Sequence, residues 1–76
     1  MSKKLARAIV EGKVVVYNPH PGQAMVKIPL AEGGVRTVLI PGLSTVELAP
    51  KYTEPGLINR SSNLFGLLHK GILRVQ

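Results

Sequence analysis

The chain has 76 residues, 45% apolar and 18% charged, with ten Lys and Arg against four Glu, no Asp and no Cys, for a formal charge of +6. That length allows one domain, burying only about 60% of the surface its unfolded chain exposes, and the absence of Cys excludes a disulfide framework and a thiolate metal site. The basic excess favours an anionic partner, whether nucleic acid, an acidic protein surface or anionic lipid.

Charge below the quarter or so usual for a soluble domain leaves two readings of the surface: another protein covers part of it, or Thr, Ser, Asn and Gly do. Residues 1 to 12, MSKKLARAIVEG, carry the only basic cluster, Lys3, Lys4 and Arg7. Leu5, Ala8 and Ile9 fit a helical face, while AIVEGKVVV fits two strands about Glu11-Gly12. The expectation is a basic arm leading into strand, ahead of a single small β-rich domain over residues 13 to 76. The apolar patch is short, broken by Arg7 and followed by no small-residue cleavage site, so neither a secretion signal nor a membrane-spanning helix is expected.

Val14, Val15, Val16 and Tyr17 form a block without polar alternation, which predicts a strand covered on both faces. It stops at NPHPGQ, residues 18 to 23, where two prolines and a glycine exclude regular structure. In residues 24 to 30 the alternation returns: Ala24, Val26, Ile28 and Leu30 face one way, Met25, Lys27 and Pro29 the other. Pro29 cannot donate to a ladder, which places this strand at an edge or gives it a bulge. AEGG then predicts a hairpin connection to VRTVLI, whose Val38 to Ile40 run also reads as buried on both faces.

In Ile40-Pro41-Gly42-Leu43 the Pro and Gly suit a type II turn, whose twist splays a tight hairpin, so a bend into a second sheet is expected there. Ser44, Val46 and Leu48 then face inward from a half-exposed strand. APKYTEPG, residues 49 to 56, reads as a loop. Beyond it the period becomes helical through Ile58, Ser61, Ser62, Leu64, Phe65 and Leu68, with Asn59 or Ser61 as N-cap and His69-Lys70-Gly71 as the stop. Gly66 suggests a short helix or a close approach to a sheet. ILRVQ closes the chain as a terminal strand. The fold class expected is mainly β, a small sandwich or barrel of about six strands with one short C-terminal helix.

No catalytic signature emerges. His20 and His69 have no carboxylate or thiolate at ligand spacing, the serines lack a nucleophile-elbow context, and four scattered glutamates do not form an acid–base pair; no enzyme, metal or cofactor is expected. AEGGVR lacks phosphate-loop spacing. A basic β-barrel that binds single strands presents stacking aromatics, but here only Phe65, Tyr17 and Tyr52 exist, and Phe65 reads as core. The basic arm at residues 1 to 7 has nothing local to pack on, and the terminal strand containing Arg74 and Val75 is available to pair with an exposed edge, so both are candidates for contact with a neighbour.

The order VVVYNP, VKIPLAEGGVRTVLIPGLSTVEL and NLFGLLHKGILRV, over residues 14 to 75, resembles small structural proteins of tailed bacteriophage virions. Shared features are the Asn-Pro turn, the Pro-Gly bend before a Ser/Thr-Val strand, and the Asn-Leu helix leading to a Gly-Leu-x-Val strand. The resemblance implies a non-enzymatic virion protein, assembled in the host cytoplasm, that stabilises a larger capsid or tail protein and self-associates in a symmetric array. It implies that Lys3, Lys4 and Arg7 tether an acidic surface, that Tyr17 with Pro19, His20 and Pro21 gives a rigid contact, and that Arg74 and Val75 lie in an augmenting strand. The alternative is a small basic nucleic-acid-binding β-barrel.

Overall fold

The computed structural model describes residues 3–76; Met1 and Ser2 lie outside the described residues. The elements run α1 (Lys3–Glu11), β1 (Val14–Tyr17), β2 (Ala24–Pro29), β3 (Val35–Ile40), β4 (Thr45–Ala49), α2 (Pro55–Ile58), α3 (Ser62–His69) and β5 (Arg74–Val75). The strands form two antiparallel sheets, one in the order β4-β1-β5 and the other the β2-β3 hairpin. The domain is β-rich as expected; the described residues form five strands where about six were expected, three helices rather than one, and no closed barrel.

The expected N-terminal arm is corrected to a helix that belongs to the same core. Leu5 and Ala8, one turn apart on one face, are buried, and Ile9 packs beside them. The chain exits at Gly12 with φ 86°, whose N–H reaches the Ala8 carbonyl at 3.0 Å, a left-handed helix stop that glycine adopts without strain. Charge opposes this helix at both ends: Lys3 and Lys4 lie at its positive pole and Glu11 at its negative pole. Burial therefore holds it, and complete burial of Leu5 contributes roughly 1.5–3 kcal/mol.

Two-sided burial is corrected as well. In β1, Val14 and Val16 are buried but Val15 and Tyr17 are half-buried. In β3, Val38 and Ile40 face the core while Leu39 is 51% exposed and Val35 63%. Branched side chains suit a pleated surface whether or not a second layer covers it. The alternation in β2 holds, with Val26 and Ile28 buried and Met25 and Lys27 exposed. One hydrophobic cluster draws on both sheets and all three helices, from Leu5 through Val16, Val26 and Leu48 to Ile58 and Leu64.

The Pro41-Gly42 bend does carry the chain from the hairpin sheet into the three-stranded sheet. It is not a type II turn, because the positive φ falls on Leu43 (57°) and not on Gly42. Space requires the glycine: a Cβ there would collide with the Pro21 carbonyl. The Leu43 N–H donates to the His20 carbonyl at 3.0 Å, so the bend and the 18–23 loop are seated on each other. Buried Asn18 organises that loop, its amide donating to the carbonyls of Gly22 (2.7 Å) and Ile40 (3.1 Å) and its oxygen accepting the His20 N–H (3.0 Å).

Helix α2 lies partly inside the stretch read as loop. Pro55 begins it, where a missing N–H costs nothing, and Ile58 anchors it in the core. Helix α3 starts at the expected N-cap, Ser61, whose hydroxyl accepts the Leu64 N–H at 3.1 Å. Gly66 makes no close approach, since a Cβ there would meet nothing within 4 Å. The α3 N-terminus also closes the outer edge of β2: Asn63 Oδ1 accepts the Lys27 N–H (2.7 Å), the Ser61 hydroxyl donates to the Lys27 carbonyl (2.6 Å) and the Thr53 hydroxyl to the Pro29 carbonyl (2.6 Å). Pro29 thus sits on a strand edge as its chemistry demands.

A basic cleft between the chain termini

Strand β5 is short but placed. Arg74 lies opposite Tyr17 and Val75 opposite Val16, and the Gln76 N–H donates to the Val15 carbonyl at 2.9 Å. The α3 stop delivers it there: Gly71, φ 77°, reverses the chain, and the Ile72 N–H returns to the Leu67 carbonyl at 2.9 Å. Lys4 comes from the opposite end of the sequence, on the face of α1 that Leu5 does not bury.

These elements border an open, shallow cleft of about 580 Å³. Lys4, Arg74 and Tyr17 surround it, with Leu68, Leu73 and Val75 as its apolar lining. Lys4 and Arg74 are exposed, Tyr17 is half-buried, and Leu73 and Val75 are core residues seen at one surface. Among the described residues, two cations and no Asp or Glu line the space, and the one ion pair, Lys13 to Glu47 at 3.8 Å, lies elsewhere. Such a cleft is electrostatically prepared for an anion that also carries apolar or aromatic surface.

Of the nine residues singled out from sequence, the cleft brings together Lys4, Tyr17, Arg74 and Val75. Lys3 and Arg7 are exposed on α1 without lining it. Pro19, His20 and Pro21 belong to a separate structural unit. Pro21 abuts Gly42, and His20 Nε2 lies 3.1 Å from the Gly71 carbonyl, which can only accept, so that contact places the ring proton on Nε2. Sequence reading missed Leu68 and Leu73 as cleft residues. They carry the periodic signal of core positions, and only their nearness to Arg74 and Val75 hinted otherwise.

Among the described residues no group of three His, Cys, Asp or Glu could hold a metal ion, and no helix is long and apolar enough to cross a membrane. Comparison with protein families, curated proteins and solved structures found no match to this chain.

Proposed function

We propose that this protein is a non-enzymatic binding module of a symmetric assembly, and that it docks an acidic segment of a larger protein in the Lys4–Tyr17–Arg74 cleft. The observation that carries the reading is the convergence there of two cations from opposite chain ends on an apolar floor, with no acidic side chain among them. The sequence resemblance gives the assembly: a tailed-phage head or tail, in which many copies each add a weak contact to a capsid or tail protein. Multivalency makes such contacts cumulative, so a modest site suffices. The fold reading that accompanies it is an open two-layer sandwich, supported by the single core to which both sheets contribute.

Single-stranded nucleic acid is the second reading, favoured by Tyr17 lying in the cleft with Lys4 and Arg74, where a base would stack while phosphates meet the cations. Light scattering at about 50 and about 500 mM salt, with poly-glutamate or a mixed-sequence oligonucleotide, separates the two. Binding of the acidic peptide, lost in Lys4→Glu/Arg74→Glu, supports the proposal. Oligonucleotide binding alone, dissolving at high salt, overturns it in favour of nucleic acid. Mass spectrometry of purified phage particles tests the assembly: absence of the chain from them would overturn the virion reading.

A further inference from the structure

In an antiparallel ladder, opposed residues alternate between pairs that exchange both hydrogen bonds and pairs whose N–H and C=O point outward. Lys27 lies opposite Thr37, and Lys27 directs both backbone groups outward, to Asn63 and Ser61. Lys27–Thr37 is therefore an outward-pointing pair, as are Met25–Leu39 and Pro29–Val35 on either side. It follows that the N–H and C=O groups of Val35, Thr37 and Leu39 point away from β2 along the free side of β3. Asn63, Ser61 and Thr53 close one edge of this hairpin, and among the described residues no hydrogen bond reaches the other.

The open edge has two different faces. On the outer face, Val35, Leu39 and the cross-strand neighbour Met25 are all more than half exposed. On the core-side face, the Arg36 guanidinium sits 4.9 Å from the centre of the Tyr52 ring, and the Lys51 ammonium 5.4 Å from it. Neither cation has an ion-pair partner among the described residues. Natural edge strands are blunted by prolines, bulges, inward charges or a covering element; β3 has six residues paired without interruption and no proline, and its one charge, Arg36, rests over Tyr52 at the strand's exposed end.

We propose that β3 is a second docking edge, which adds an extended partner strand alternating apolar and acidic residues. Main-chain bonds to Val35, Thr37 and Leu39 align the strand. Its apolar side chains extend the Met25–Leu39–Val35 patch, and its carboxylates meet Arg36 and Lys51 over Tyr52. Charge complementarity selects this occupant over a second copy, because two chains of +6 repel and the strands of the described residues hold a single acidic side chain, Glu47 of β4, which faces Lys13.

The test uses the full chain and a synthetic peptide of about eight residues alternating Val and Glu, followed by amide NMR. Two isomeric peptides, N-methylated on alternate sets of residues, carry the same charge but block opposite edges of the added strand. The expected result is binding that only one isomer retains, that Thr37→Pro abolishes and Arg36→Glu weakens at least about fivefold, and that Lys4→Glu/Arg74→Glu leaves unchanged. Equal binding of both isomers overturns strand addition without altering the protein. Binding lost only in the cleft variant overturns this site while leaving the proposed function intact. A mass that doubles without peptide, and reverts in Thr37→Pro, makes a second copy the occupant and overturns the acidic strand, as does an absence of peptide binding.

Discussion

The Ser61 hydroxyl donates to the Lys27 carbonyl at 2.6 Å while accepting the Leu64 N–H at 3.1 Å, so one side chain begins α3 and closes the β2 edge. Ser61 is buried, and both of its partners would be left without it in an alanine variant. Ser61→Ala is expected to lower stability by about 1–3 kcal/mol, a cap loss plus an unsatisfied carbonyl. Urea unfolding would show a lower midpoint at unchanged slope; a cost below about 0.5 kcal/mol would remove this dual role.

The hairpin register makes a paired prediction. Thr37 has its N–H on the open side of β3, whereas the N–H of neighbouring Val38 is directed at β2. Thr37→Pro should therefore fold with a loss of at most about 1.5 kcal/mol, and Val38→Pro should lose about 3 kcal/mol or more. Circular dichroism melts of both would check it, and the reverse order would show that the ladder is out by one residue.

Asn18 offers a chemical test of the 18–23 loop. Two of its three bonds require an N–H₂ group facing the carbonyls of Gly22 and Ile40. Asn18→Asp retains the shape and places a carboxylate oxygen against two carbonyl oxygens. It should destabilise at least as much as Asn18→Ala, about 1–3 kcal/mol or more. Equal stability of Asp and Asn at neutral pH, measured by denaturant unfolding, would contradict the assigned amide orientation.

The helical reading of the N-terminus separates from a tether in one experiment. Leu5→Ala should cost about 2–5 kcal/mol, because it empties a fully buried site in a small core. A tethering arm would lose its leucine without change in thermal midpoint. Lys3→Ala, fully on the surface of the same helix, should stay within about 0.5 kcal/mol and serves as the control.

Much of this fold was legible where one local signal had no rival. The alternation over residues 24 to 29, the glycine pair at the hairpin tip and the serine before α3 each have a short-range cause and appear as read. Helix α1 was ambiguous, because the helical face of Leu5, Ala8 and Ile9 competed with a two-strand reading of AIVEGKVVV, and the helix has no acidic first turn and ends in Glu11. Helix α2 has four residues, less than the span over which a period can be seen. The valines of β1 and β3 misled because branching reports pleated geometry and leaves burial to the topology. The cleft was legible residue by residue in Lys4, Tyr17, Arg74 and Val75, but their convergence depends on β5 pairing with β1 across most of the chain.

The contact between Gly42 and Pro21 has a consequence for how this molecule tolerates change. With the Pro21 carbonyl filling the space a Cβ would need, and with Leu43 bonded to His20, the 18–23 loop and the sheet-to-sheet bend form one interlocked clasp. Neither can lengthen without displacing the other. At the opposite end of the hairpin, Gly33 and Gly34 have positive φ but open space around them, and residues 31 to 37 are exposed. Added sequence, whether acquired by descent or introduced as a fluorophore-bearing insertion, has its natural place at that tip.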